Sequence, residues 1–503
     1  MSGATAVLYP SHTPSSYHRV VSPTLTIPTD PQISVPVGLL ACQRDPLLRE
    51  LATTVVNCVV SQPAAPPAGK KSKKSVIAPT LPQGPILHLI LHDTVIFPEG
   101  GGQPTDTGVI IDSDGEPWEV LQCKRDGGHA VHYVNVSDSI DVDAAVAKFT
   151  PGTKVIATLD QAAFDRRYDH MSMHTSQHLL SALLETDLNL PTLSWSLTTY
   201  PSPCYVEILR GMTPEEITKI QERANRLVFE GRKVHIEVTE LDSAEASSVP
   251  TLEDGRAAGK ALPQDYTGGV KRVVVIDGVD RNPCCGTHMP TLHNLQLFIL
   301  PHTEALSRSS TTTARLYFLC GPRLITYLTS THSLLTSTAS IMSCGAPLVP
   351  ERVSQVIDDR KRAEKRVDAL ETELAGGIAS GLVAELNANG ADQLFKKGIH
   401  RTDDSSNPLA FLNAISLAFS NSLPPSASYL CVLSSSPSSS SSAVVLIIGS
   451  DEKLVKQAAD LVKEKVGVKG GGKGNRWSGK FMGAWKKDVQ EATVQGILGG
   501  IDA

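Results

Sequence analysis

Two short segments of this chain carry the side chains best suited to hold a metal. In FDRRYDHMSMHTSQHLLSALL, His174 and His178 stand four residues apart. On an α-helix they project from one face, about one turn from each other. That separation lets two imidazoles share one tetrahedral ion. Leu179, Leu180, Leu183 and Leu184 anchor the same helix in a core. Further along, Asn282-Pro283 makes a turn and Cys284-Cys285-Gly286-Thr287-His288 follows. Cys284 and His288 come from a tight loop that Gly286 permits. Two helical imidazoles with a thiolate and a third imidazole from a loop make a mixed nitrogen and sulfur set. Such a set suits one zinc ion far better than magnesium or calcium. Cys285 is the alternative sulfur ligand, and His170, one turn before His174, is placed to support the ligands from behind. The competing use is a closed site that pins loop to helix, for which two to four cysteines are the usual choice. A zinc peptidase is excluded, because HTSQH lacks the glutamate that HExxH uses as general base.

These residues need elements to position them. The ligand-bearing helix is predicted over about Phe164 to Glu185, followed by strands near Ser194–Leu197 and Tyr205–Leu209. Thr213-Pro214-Glu215-Glu216 supplies an N-cap, a proline at the first position and acids in the first turn, which predicts a second helix. Strands at 233–239 and 271–277 complete an α+β block. Upstream, between about 84 and 160, short β-type runs such as ILHLILHDTVIF, AVHYVNV and KVIATLD alternate with turn residues, the pattern of a small β-barrel or curled sheet. Downstream, Val353, Val356, Ala363, Val367, Leu370 and Leu374 follow a 3-4 spacing with Arg360 at the polar seam position. That is a long helix with a coiled-coil-like stripe, packed within the chain or pairing two chains. The expected fold class is α+β. A flexible Pro/Ser/Thr-rich extension (1–35) precedes a β-barrel-like domain (36–160). A zinc-containing core (161–310), a helical connector (311–390) and a C-terminal α/β domain (391–503) follow. PPAGKKSKK (66–74) reads as a basic loop, the serine-rich stretch 434–442 as a linker, and KGGGKGNRW (469–477) as a Gly/Lys-rich loop.

The bulk properties narrow the class. The 503 residues are 41% hydrophobic and 19% charged, with a net charge of −6. This is globular composition, too long for one core, and unlike a protein that coats nucleic acid everywhere. The nine cysteines lack the spacing of a disulfide scaffold. No run approaches a membrane span, and MSGATAVLYPSHTPSSYHR has neither a secretory nor a mitochondrial pattern. The cytoplasm is the expected location.

HMSMHTSQHLL and NPCCGTH resemble the HxxxH and CxxxH elements of the alanyl-tRNA editing proteins and of the editing domain of alanyl-tRNA synthetase. FPEGGGQPTDTG (97–108) resembles that family's glycine-rich segment, and CQRDPLLRELATTVV (42–56) the start of its eukaryotic free-standing members. The resemblance covers roughly residues 37 to 310 and departs from the family in the N-terminal extension and the 66–74 insertion. It implies a zinc site of His174, His178, Cys284 and His288, with Gln103 in the editing pocket. The first 35 residues cannot hold the synthetase's aminoacylation domain, which is therefore not expected, and the resemblance implies editing in trans: hydrolysis of tRNA(Ala) carrying a wrong amino acid. The glycine-rich tail resembles the synthetase's C-terminal domain more loosely, and implies tRNA contact there.

Selectivity has a physical cause. A charging pocket shaped for alanine discriminates poorly against glycine or serine, since one methyl is worth only about 1–3 kcal/mol. A second, hydrogen-bonding pocket can hold a serine hydroxyl and spare alanine. Gln103 is the candidate polar wall and Thr94 the second. Serine or glycine is the expected misplaced residue. In the tail, backbone amides with Lys469, Lys473 and Arg476 are the candidate phosphate contacts. The alternative to a hydrolase is a non-catalytic, zinc-stabilised tRNA-binding adaptor.

Overall fold

A computed structural model describes residues 12–61, 81–82, 84–241, 270–305, 313–390, 393–402, 407–438 and 442–501. The basic stretch 66–74 lies outside them. The chain divides into two compact units, Met1–Leu335 and Thr336–Ala503.

The predicted barrel is present in the first unit. Six antiparallel strands close in the order Glu50–Val60, Ile86–Leu91, His129–Asn135, Pro117–Asp126, Gly108–Ile111, Lys154–Thr158 and back to the first. Its first strand comes from the apolar 37–60 stretch, upstream of the runs that signalled it. Leu87, Leu89, Val120, Val134 and Ala157 point inward and are fully buried, as the two-residue period of a strand requires.

Helix Gln161–Leu188 is longer than predicted because both ends are capped. Asp160 accepts from the Ala163 N–H at 2.7 Å, and Asn189 ends the helix in the left-handed conformation at φ 50°. Every residue from Arg167 to Leu180 is buried, although the run includes two charges and three histidines. Burial of such groups needs partners. Arg167 Nε donates to Asp106 Oδ2 at 2.8 Å, and Asp169 takes a bidentate pair from Arg323, each bond 2.8 Å.

Around this helix stand two sheets. One joins His18–Val20, Val234–Glu240, Val270–Ile276 and Asp280–Pro283. The other joins Phe298–Ile299, Ala314–Cys320, Cys204–Ile208 and Thr192–Ser196, with Thr303–Ala305 beside Ala314–Cys320. Helix Pro214–Glu230 begins at the predicted N-cap, Thr213, which also forms a capping box with Glu216. Barrel and α+β block share one continuous hydrophobic core, from Tyr17 and Val35 to Leu227, Phe298 and Cys320.

Two expectations change here. From His12 on, the extension expected to be flexible is ordered: Tyr17 is 2% exposed, and His18–Val20 adds a parallel strand to Val234–Glu240. The region expected as a helical connector from 311 begins with a strand, Ala314–Cys320, before helices Gly321–Ile341 and Val349–Ala388.

In the second unit, a five-stranded sheet runs Phe395–Thr402, Tyr429–Ser436, Ser442–Gly449, Arg476–Met482, Lys469–Lys473. Both faces are covered, so neighbouring residues enter different cores. Leu430, Val432, Val445 and Ile447 meet helices Glu452–Val466 and Ala492–Gly499. Cys431, Leu433, Leu446 and Ile448 meet Pro408–Asn421 and the end of Val349–Ala388, at Ala375, Ala379 and Leu382. Earlier on that helix, the stripe at Val356, Val367, Leu370 and Leu374 is exposed. Of the serine-rich stretch expected as a linker, residues 439–441 lie outside the described residues, and its first part is strand rather than linker. Ser434, Ser435 and Ser436 are buried at the end of a strand, and Ser434 and Ser436 hydrogen-bond His400 at 2.9 and 3.2 Å. The Gly/Lys-rich loop is a β-hairpin, Lys469–Lys473 with Arg476–Met482, turning at Gly474-Asn475 where Gly474 has φ 66°. Among the described residues, no helix is long and apolar enough to cross a membrane.

Candidate metal centre

The helix and the loop deliver their side chains to one point. One donor atom each from His174, His178, Cys284 and His288 lies within 4.8 Å of the others, and all four residues are buried. Cys284 Sγ stands 3.3 Å from His174 Nε2 and 3.3 Å from His288 Nε2. A tetrahedron with bonds of about 2.0–2.3 Å has edges of roughly 3.3–3.8 Å. The group is therefore sized to hold a metal ion. Cys285, the alternative sulfur, is not part of it.

Hydrogen bonds behind the rings fix which nitrogen faces inward. His174 Nδ1 donates to Gln103 Oε1 at 3.1 Å, and His178 Nδ1 donates to Asp280 Oδ2 at 3.1 Å. Both leave Nε2 for a metal, the arrangement by which a partner on the far nitrogen sets tautomer and ring angle. Burial opposes the Cys284 thiolate. The neighbouring His174 and His288 rings and hydrogen bonds from His174 and His178 outweigh it, holding the thiol well below its ordinary value. Burial likewise opposes a charged His178, yet Asp280 and Cys284 raise its pKa to about 9. At His288, burial dominates and lowers the pKa to about 3. His288 Nδ1 is buried without a hydrogen-bond partner.

Glycines let the two loops close on the site. A side chain at Gly286 would collide with the His174 ring and come within 2.9 Å of Gln103 Oε1. Gly101, at φ 58°, faces Cys284 Sγ and the amides of Cys285 and Gly286.

Gln103 is fully buried. Besides His174, its Oε1 accepts from the Thr287 N–H at 3.0 Å, and its Nε2 donates to Thr287 Oγ1 at 2.8 Å. The amide expected to wall the pocket is thus largely occupied in linking the two ligand segments. Thr94 is committed as well: its hydroxyl bonds His132 Nε2 at 2.8 Å and accepts from the Ile96 N–H at 3.0 Å. His170 is buried one turn below His174 with Nδ1 unpartnered, and outside the four-donor group. Lys469, Lys473 and Arg476 belong to the second unit's edge hairpin, where Lys473 pairs with Arg476 and Lys469 with Lys480.

Reading the sequence alone missed Asp280 and Trp195. Trp195 lies 4.9 Å from His174, centroid to centroid, and its ring would sit 2.6 Å from a side chain at Gly102. Asp280 sits four residues before Cys284, a proximity that could have suggested it. Trp195 left no such signal.

No family model matches the sequence. Individual relatives do. The chain is 30% identical over 458 residues to the alanyl-tRNA editing protein Aarsd1 of Rattus norvegicus, covering 91% of this chain and 96% of that one. The protein of the same name from Bos taurus is 29% identical over 476 residues, covering 91% and 97%. The alanine–tRNA ligase of Thermococcus kodakarensis is 30% identical over 289 residues, which is 57% of this chain and 29% of the ligase. At that identity over nearly the full length of both partners, the chain belongs to the alanyl-tRNA editing protein family.

Proposed function

We propose that this chain is an aminoacyl-tRNA deacylase acting in trans. It would hydrolyse the ester joining a wrong amino acid, serine first and glycine second, to tRNA(Ala). The observation that carries the reading is the buried convergence of His174, His178, Cys284 and His288 behind the glycine-rich loop, in a chain whose relatives are named for alanyl-tRNA editing. Three imidazoles and a thiolate suit zinc. When bound, zinc would polarise the ester carbonyl or lower the pKa of a water towards about 7. The protein's own work is positional. Gln103 and Asp280 orient two imidazoles, and Gly101 and Gly286 let the loops close without side chains in the way.

Four protein donors also favour the second reading, an adaptor whose closed zinc site is structural, because catalytic zinc sites keep a position open. A deacylation assay separates the two. The purified chain, with zinc content measured, is incubated with labelled Ser-tRNA(Ala), Gly-tRNA(Ala) and Ala-tRNA(Ala). Release of serine with Ala-tRNA(Ala) spared is the expected result. Zinc-loaded protein that binds tRNA(Ala) and releases nothing would establish the adaptor.

The tail hairpin is proposed as the tRNA phosphate contact. Lys469 opposite Lys480 and Lys473 opposite Arg476 set like charges across a pair of strands, an arrangement that is unfavourable without an anion between them. Neutralising Lys469, Lys473 and Arg476 together should weaken tRNA binding and flatten the salt slope of log K by about 1 for each phosphate left unneutralised. Hydrolysis of a short aminoacylated minihelix should change less. An unchanged tRNA affinity would remove the hairpin from the interface.

A further inference from the structure

Three arginines are among the largest fully buried side chains: Arg167, Arg272 and Arg323. Arg167 is paired with Asp106 and Arg323 with Asp169. Arg272, 2% exposed, has no carboxylate partner among the described residues, and its Nε makes no hydrogen bond. A buried cation without a counter-anion is costly and needs a reason. Its remaining hydrogen bonds supply one. Nη1 donates to the carbonyls of Cys284 at 3.2 Å and Gly286 at 2.8 Å, and Nη2 to the carbonyl of Gln43 at 3.2 Å. The carbonyl between these two, that of Cys285, accepts from Gln43 Nε2 at 2.8 Å. Gln43 is itself fixed, because its Oε1 accepts from the Gly38 N–H at 2.6 Å. Three successive carbonyls of the ligand loop are therefore held by side chains from outside the loop.

We propose that Arg272 and Gln43 are positioning residues, a clamp that holds the Cys284–His288 loop in the one conformation that presents Cys284 and His288 to the metal. The planar fork of Arg272 explains the choice of residue. Nη1 bridges the Cys284 and Gly286 carbonyls while Nη2 reaches the Gln43 carbonyl, so one rigid guanidinium ties the loop to the segment that carries Gln43, whereas an ammonium is a point donor on a flexible stem. The inference rests on reading the four donors as a zinc site.

The test uses the full chain and zinc itself. Affinity is measured by chelator competition and the release rate by transfer to a chromophoric chelator, for wild type, Arg272→Lys and Gln43→Ala. The cobalt(II)-substituted absorption spectrum, which reports thiolate ligation, is recorded alongside, and circular dichroism checks the fold. Partners behind metal ligands typically matter about 10- to 100-fold in affinity. A loss in that range is expected for Arg272→Lys and a smaller one for Gln43→Ala, with faster release and a weakened thiolate band in folded protein. Should Arg272→Lys fail to fold, Gln43→Ala decides, since it keeps the buried charge in place. Wild-type affinity and release in folded variants would overturn the clamp while leaving the zinc reading intact. A wild-type chain that binds no zinc would overturn both.

Discussion

Cys284→Ala is expected to lose zinc and Ser-tRNA(Ala) hydrolysis together. The Cys284 thiolate is the one anion within the four-donor group, 3.3 Å from both His174 Nε2 and His288 Nε2. Its removal leaves three imidazoles and a hole on the loop side. Loss of a residue behind a ligand costs about 10- to 100-fold in metal affinity, so loss of the ligand should exceed roughly 100-fold. Zinc content after desalting and single-turnover deacylation should fall in parallel. Cys285→Ala is the internal control, because that side chain lies outside the converging group. A Cys284→Ala protein that retains one tightly held zinc would sink the assignment. So would a Cys285→Ala protein that loses it.

Gln103→Leu is expected to impair both metal retention and hydrolysis. From the glycine-rich segment alone, Gln103 is a wall of the amino-acid pocket, and its replacement leaves zinc in place. The amide instead accepts from His174 Nδ1 and the Thr287 N–H and donates to Thr287 Oγ1. Leucine at this position would free the His174 ring to rotate and leave the Thr287 N–H buried and unpaired. An unsatisfied buried donor costs about 1–3 kcal/mol, and the loss of ring orientation about 10- to 100-fold in metal affinity. Gln103→Glu keeps an acceptor for both N–H groups and should hold zinc better than the leucine variant. Deacylation should fall by about 5- to 150-fold in Gln103→Leu, the rate equivalent of one to three kilocalories. Excess zinc should restore part of it. Full zinc occupancy with lost hydrolysis would return Gln103 to substrate recognition, and unchanged behaviour in both assays would make its contacts incidental.

What the sequence determined by itself is local. The four-residue spacing of His174 and His178 places both on one face of a helix wherever that helix packs. Thr213 to Glu216 cap a helix by bonds that span a single turn. The alternating runs between 84 and 160 can bury only one face, which calls for a barrel or a curled sheet; closure needed the strand Glu50–Val60 from upstream. Cys284 and His288 could be paired in advance because one short loop holds both.

The tertiary structure decided whatever depends on a distant partner. Gln103 lies 71 residues from His174, and Asp280 lies 102 from His178, so no periodicity links them. Arg272 reads locally as the second of two adjacent basic residues before an apolar run, and only folding sets it against the carbonyls of Cys284, Gly286 and Gln43. Composition misled where neighbours override it. Ser434 to Ser436 have the make-up of a linker, yet strands Phe395–Thr402 and Ser442–Gly449 pair with their strand on either side. The segment from His12 to Val35 has the make-up of a flexible extension, yet Tyr17 is buried with its hydroxyl donating to the His288 carbonyl at 3.0 Å. Short-range bonding rules can be read from a string of residues. Long-range packing has to be seen, because the energy of each such contact depends on a neighbour that only the fold supplies.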